Sequence, residues 1–329
     1  MGDQFFNRNL YRLNDIYTTS FVSVAYLLLS YFLVGFKFDQ LVLVLIFNLM
    51  FYLSDSTRRF IIGFSIFIVY WILFDYMKAF PNYLYNRVHI EDLYDAEKNI
   101  FGINVHGLIL TPNEFWKIYS NSFLDILSGI FYLMWVPVPL VFAIFLFFKN
   151  KHQFLLFSLV FVWVNLIGFV IYYLYPAAPP WYVQEHGFKF IAQTRGNTAG
   201  LARFDSYFNI SLFKGIYSKG SNVFAAMPSL HSAYPVIVFY FGLKNRRGMI
   251  NLFFLIVMLG IWFSAIYSSH HYTLDVLGGI GCAGIGIFTF RMAARKTQFG
   301  KMIISFERRL TKRKNALQSE INHTIISKK

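Results

Sequence analysis

Charge is scarce in this chain. Charged residues make up 14% of its 329 positions, where a soluble domain carries about 25%. Acid is scarcer than base, with 16 Asp and Glu against 30 Lys and Arg and a formal net charge of +14. There is one cysteine, Cys282, in a Gly-rich apolar run. A single thiol builds no disulfide framework and has no partner for a thiolate metal site. No small-residue cleavage site follows the first apolar stretch, which therefore reads as a retained anchor. What is abundant is apolar: 57% hydrophobic residues, with 40 Phe and 22 Tyr. This balance excludes a disordered chain, a coiled coil and an ordinary nucleic-acid-binding module, and it predicts an integral membrane protein.

A spanning helix needs about 20 mostly apolar residues. Eight segments are candidates: 18–36, 40–53, 60–77, 123–148, 153–175, 231–243, 250–269 and 273–290. The second and sixth are short; the sixth is expected to extend upstream. Pro137 and Pro139 predict a kink in 123–148. With eight spans both chain ends share one side. That side collects Arg8, Arg12, Arg58, Arg59, Lys149, Lys151, Lys244, Arg246, Arg247 and the tail from Arg291, which is 20 of the 30 basic residues. The positive-inside rule makes it the cytoplasm. The opposite side receives the long connections 78–122 and 176–230 and the turn 268–272. The tail 291–329, with Lys301, Arg308, Arg309, Lys312, Arg313 and Lys314, reads as a solvated topology anchor; binding to anionic lipid is the alternative.

The polar residues cluster. His231 lies in Met227-Pro228-Ser229-Leu230-His231-Ser232, and His271 and Asp275 lie in Ser268-Ser269-His270-His271-Tyr272-Thr273-Leu274-Asp275. Both clusters fall at the non-cytoplasmic face. His271 and Asp275 are spaced i, i+4, which stacks them on one face of a helix. An Asp in an apolar span needs a partner, and His271 is the obvious one. The carboxylate would fix the tautomer and make the other ring nitrogen more nucleophilic. His270 has Leu274 at i+4, which cannot orient it, and reads as a residue that supports the site or binds the substrate headgroup. Adjacent histidines with one distant third ligand are a poor metal template, so no metal is expected. Asp75 and Asp125 sit near span ends and read as structural. Gly278, Gly279, Gly281, Gly284 and Gly286 suggest a small-residue packing face inside a span.

Pro228-Ser229-x-His231 followed by His271-x-x-x-Asp275 resembles the second and third signature motifs of the type 2 phosphatidic acid phosphatase superfamily. Within it the chain most resembles the sphingolipid-synthase branch, in particular inositol phosphorylceramide synthases. Tyr175-Pro176-Ala177-Ala178-Pro179-Pro180-Trp181-Tyr182 supports that branch, as do Val88-His89-Ile90-Glu91-Asp92-Leu93-Tyr94 and Glu97-Lys98-Asn99-Ile100-Phe101-Gly102. The likeness covers roughly 60–290. It implies an all-α polytopic fold of about eight helices: a two-helix region over 1–59, a six-helix catalytic domain over 60–290 and a basic tail over 291–329. It also implies transfer of a phosphoinositol headgroup from phosphatidylinositol to ceramide, releasing diacylglycerol, without a cofactor. His271 would attack phosphorus, Asp275 would orient it, and His231 would serve as acid and then base. The site would face the periplasm of a bacterial inner membrane, or the Golgi lumen in a eukaryote.

The family pattern is incomplete. The first motif, which begins with Lys and ends in Arg-Pro, is missing, and Tyr175-Pro176 occupies its region. The third motif usually has an Arg shortly before its His; here Ser264-Ala265 stands there. The phosphate must be held otherwise. Arg is suited to phosphate oxygens, and Arg195 and Arg203 rank above Lys189, Lys214, Lys219 and Arg87. Ser229 is a further candidate, as the cap of a helix that aims free N–H groups at an anion; with Pro235 two turns on, that helix could also begin as late as Ser232. Two other readings stand beside this one: a lipid phosphate phosphatase with water as acceptor, and a non-catalytic lipid-binding membrane protein.

Overall fold

The computed structural model describes residues 12–311 apart from 219, 221, 247 and 297. Arg8, Lys219, Arg247, Lys312, Arg313 and Lys314 lie outside the described residues. The elements run α1 (Leu13–Val34), α2 (Phe38–Leu53), α3 (Asp55–Tyr76), α4 (Glu91–Phe101), β1 (Ile103–Val105), β2 (Leu108–Leu110), α5 (Pro112–Ile118), α6 (Ser122–Leu133), α7 (Pro137–Lys149), α8 (Lys151–Leu174), α9 (Pro180–His186), α10 (Ala202–Phe208), α11 (Leu212–Tyr217), α12 (Leu230–Lys244), α13 (Met249–Tyr267), α14 (Thr273–Lys296) and α15 (Gln298–Leu310). Among the described residues the only strands are β1 and β2, an antiparallel hairpin with Ile103 opposite Leu110.

All eight apolar segments are helical. Six runs are long and apolar enough to cross a membrane by length and composition: Leu13–Val34, Asp55–Ala79, Ser122–Lys149, Lys151–Leu174, Met249–Tyr267 and Thr273–Arg295. Helix length thus does not establish the expected count of eight, because α2 has 16 residues and α12 has 15. The sixth segment gains only Leu230 upstream. Ser229 stops it there, in extended backbone, its hydroxyl capping the helix. The expected kink is present: a turn at 134–136 separates α6 from α7, and Pro137 takes the first position of α7, where its missing N–H costs nothing.

The core is aromatic and joins α3, α7, α8, α12 and α14. Polar atoms inside it are paired: Tyr234 Oη donates to Asn165 Oδ1 (2.6 Å) and lies 2.7 Å from Tyr70 Oη, tying α12 to α8 and α3. By contrast, α1 leaves most of its large apolar side chains exposed, as a helix facing lipid does. The chain beyond 290 does not begin as a solvated tail. Helix α14 continues to Lys296, and α15 folds back on α3 and α8 with Ile303 and Leu310 buried. Phe299, Ile303, Phe306 and Leu310 recur at helical spacing, so one face of α15 is apolar.

The two long connections pack on each other where α8 ends and α12 and α14 begin. Asn82 Nδ2 donates to the carbonyls of Tyr172 and Phe224, both at 2.8 Å. Ala177 bridges to His89 on one side and Ala225 on the other. At this end α12 and α14 approach to backbone contact. Ser229 N–H donates to Asp275 O (2.9 Å), and a Cβ on Gly279 would collide with Ser229 O. The small-residue face expected in α14 is therefore used in part: Gly279 and Gly286 are in close contact, Gly278 is in ordinary contact, and Gly281 and Gly284 have nothing within 4 Å of an added Cβ.

This contrast makes a test. Gly279→Ala is expected to destabilise the protein by about 1–3 kcal/mol through overpacking and to part the two helices. Gly281→Ala is expected to be neutral or slightly stabilising. Thermal unfolding of the two purified variants in detergent distinguishes them.

Candidate active site

His231 sits in the first turn of α12, just after the Ser229 cap. The turn between α13 and α14 carries His270 and His271. Ala265, which stands where the family has Arg, is buried, and its carbonyl accepts the N–H groups of both His270 (3.1 Å) and His271 (3.0 Å). From α5, Asn113 Nδ2 donates to Ile266 O (2.8 Å) and His271 O (2.9 Å). The backbone of His271 is thus held on both sides.

His271 Nε2 lies 3.1 Å from His231 Nδ1. On the other edge of its ring, His271 Nδ1 lies 3.5 Å from Asp275 Oδ2. The two histidines and the acid predicted to meet do meet, 40 residues apart along the chain. The mode differs from the expected one in two respects. His271 precedes α14 by two residues, so the i, i+4 pair is not stacked on a helix. The contact arises because Asp275 turns back to cap the helix, its Oδ2 accepting Tyr272 N–H at 2.9 Å. That bond occupies the oxygen nearest the ring, and 3.5 Å is too long for a hydrogen bond, so the acid acts on His271 as a close charge. Asp275 is fully buried.

This arrangement sets the proton positions. A carboxylate beside Nδ1 favours the proton there and leaves a lone pair on Nε2. His231 Nδ1 faces that nitrogen at 3.1 Å, and the direction of the hydrogen bond follows the ring tautomers. The chain of groups is acid, imidazole, imidazole, with two ring nitrogens facing each other.

The other expected site residues are placed as follows. Ser229 does cap α12, with its Oγ accepting from Ser232 N–H (3.3 Å) and Ser232 Oγ (3.0 Å); the start at Ser232 is not adopted. Being fully buried, its hydroxyl serves the fold. His270 is buried, with Tyr217 stacked at 4.4 Å and Tyr132 at 5.3 Å, and its Nε2–H donates to Thr198 O (3.1 Å). Burial, and then the neighbouring His271, pushes its pKa down to about 3, so it is a neutral ring with no charge to offer a phosphate. Arg203 is already engaged: its Nε donates to Asp125 Oδ1 (2.6 Å), and the guanidinium lies 5.2 Å from the Tyr267 ring centre. That pair gives Asp125 the structural role expected of it. Arg195 is exposed and, among the described residues, has no ion-pair or hydrogen-bond partner. Among the described residues no group of three or more His, Cys, Asp or Glu is arranged to hold a metal ion.

Two supporting residues were not singled out from the sequence. Asn113 is one. Glu97 is the other: fully buried on α4, its two oxygens accept Thr273 N–H (2.8 Å) and Leu274 N–H (3.0 Å) at the start of α14. Burial raises its pKa, and these hydrogen bonds pull it back. Together Asp275 and Glu97 satisfy three N–H groups at the start of α14, where helices leave donors orphaned. An acid buried in a short polar helix is the signal that could have marked Glu97; its partner 176 residues away is not readable.

The family model described as PAP2 superfamily matches residues 106–289. This chain belongs to the PAP2 superfamily. The match takes in all three members of the histidine–acid group. Phosphoinositol dihydroceramide synthase of Bacteroides thetaiotaomicron is 40% identical over 281 residues, covering 85% of this chain and 92% of that protein. The inositol phosphorylceramide synthase catalytic subunits of Schizosaccharomyces pombe and Saccharomyces cerevisiae are 29% and 30% identical, over 73% and 64% of this chain. The chain spans about half the length of these fungal relatives, 56% and 52%. No solved structure matches the chain.

Glu97→Gln keeps the shape but presents an amide N–H₂ to one of two N–H donors. It is expected to lower stability by roughly 1–3 kcal/mol and to lower turnover with it, measured as unfolding midpoint and initial rate. Asp275→Asn is expected to reduce turnover on the order of 10²-fold or more while the protein stays folded.

Proposed function

We propose that this chain moves a phosphoinositol headgroup from phosphatidylinositol to the hydroxyl of a ceramide-type lipid and releases diacylglycerol. The observation that supports this most is the 3.1 Å approach of His271 Nε2 to His231 Nδ1, with Asp275 behind the first ring. The names of the relatives supply the substrate class, and the 40% identity to the bacterial synthase extends over most of both chains.

The chemistry follows from the proton positions. Phosphorus enters between the two nitrogens, which part to admit it. His271 Nε2 attacks, and a P–N bond forms as the P–O bond to diacylglycerol breaks. His231 enters this step as the imidazolium, and the departing oxygen takes its Nδ1 proton and leaves the neutral ring. The positive charge that grows on His271 is met by Asp275. The ceramide hydroxyl then gives its proton to His231 and attacks phosphorus, and the P–N bond breaks. The phosphodiester charge lies at the N-terminus of α12, where the helix dipole favours anions. Arg203 is neutralised by Asp125, which leaves Arg195 as the open basic residue of the two.

The site faces away from the cytoplasm. The trio lies at the N-termini of α12 and α14, whereas Lys149, Lys151, Lys244 and Arg291 lie at the opposite helix ends, which the positive-inside rule assigns to the cytoplasm.

Purified protein given labelled phosphatidylinositol and ceramide is expected to form inositol phosphorylceramide in the presence of a chelator. His271→Ala and His231→Ala are each expected to abolish it; undiminished product from His271→Ala rejects the assigned nucleophile. Orientation has its own test in a Cys282→Ala background. In intact bacterial cells a membrane-impermeant maleimide is expected to label Lys189→Cys, and to label Lys149→Cys only after permeabilisation. The reverse pattern places the site on the cytoplasmic side.

A further inference from the structure

A cavity far from His231 and His271 has a chemistry of its own. It measures about 850 Å³ and lies between the far ends of α8, α12 and α14 and the back of α15. Four cations line it: Lys244 from α12, Arg291 and Arg295 from α14, and Lys301 from α15. No Asp or Glu lines it, and none of the four cations is in an ion pair among the described residues. Arg291 bonds only a neutral phenol, Tyr240 Oη, at 3.1 Å. The remaining wall is largely apolar and includes Leu156, Ile287 and Phe290. All four side chains are exposed at the edge of this space, and together they form a basic cluster that attracts an anion.

The position is as informative as the lining. Lys244 is 13 residues beyond His231 on α12, about 20 Å at the helical rise, and Arg291 is 16 beyond Asp275 on α14, about 24 Å. The cavity therefore lies at the opposite membrane boundary from the catalytic group. Basic pockets between membrane helices at that level suit lipid headgroups.

We propose that this cavity binds one anionic phospholipid of the cytoplasmic leaflet, its phosphate among Lys244, Arg291, Arg295 and Lys301 and an acyl chain along Leu156, Ile287 and Phe290. The chain's own C-terminal segment is a poor occupant. Residues 312–329 contain five Lys and Arg and one Glu, so they repel the lining. The bound lipid joins α15 to the ends of α12 and α14, a joint that protein side chains leave positively charged.

The test is native mass spectrometry of the full chain released from neutral detergent with equal amounts of dioleoyl phosphatidylglycerol and dioleoyl phosphatidylcholine. One phosphatidylglycerol is expected to be retained in preference. Arg291→Gln/Arg295→Gln is expected to lower that retention roughly tenfold or more, and so, to a smaller degree, is Lys301→Gln, which lies on α15 and guards against misfolding of the double variant. Equal retention of the two lipids overturns the proposal. So does undiminished retention in both cavity variants, loss only on deletion of 312–329, or complete displacement by millimolar inorganic phosphate, which marks a free-anion site.

Discussion

The site depends on two helix beginnings lying closer than side chains normally allow. Ser229 at the start of α12 donates its N–H to the carbonyl of Asp275 in α14, and Gly279 leaves room for that approach. Once the two backbones are in contact, a histidine in the first turn of one helix and a histidine just ahead of the other must face each other. The 3.1 Å separation of the two imidazoles thus rests on a main-chain contact between the two helices. Packing fixes the rest of the frame. Tyr234 bonds α8 through Asn165 and stands beside Tyr70 of α3, so α12 cannot slide without breaking a buried polar link.

The connections outside the bundle complete the constraint. Residues 77–121 bring Asn113 and Glu97 to the turn that carries His271 and to the first N–H groups of α14. Residues 176–229 bring Thr198, Tyr217 and Arg203. These hold His270 and Asp125 beside the pair of facing nitrogens. A reaction that must choose a lipid hydroxyl over water gains from such enclosure, because few other proton donors stand close to phosphorus.

Much of the bundle was legible because apolar length and proline act locally. The runs of Phe, Leu and Ile around 153–175 and 250–269 make helices wherever they stand, and Pro137 breaks its helix at the expected place. His231, His271 and Asp275 were legible because unusual polar residues in apolar runs stand out. What escaped notice depends on distance in sequence. Nothing near Arg203 says that Asp125 has claimed it, and nothing near Glu97 says that its partners are Thr273 and Leu274. The spacing of His271 and Asp275 was right for a helical pair, yet the helix starts after the histidine, because Asp275 spends one oxygen on Tyr272 N–H. The extent of the bundle beyond 290 is hard to read for a simpler reason: the basic residues of α15 mask a face made of Phe299, Ile303, Phe306 and Leu310.

Asp275 is sealed from solvent, and its Oδ1, like Nδ1 of His271, makes no hydrogen bond among the described residues. A buried polar atom left without a partner costs about 1–3 kcal/mol. The other oxygen, Oδ2, closes the start of α14 through Tyr272 N–H. An apolar residue in this place would remove the buried charge and orphan a main-chain donor. One side chain thus serves both the helix and the ring beside it, so neither duty can be altered without disturbing the other.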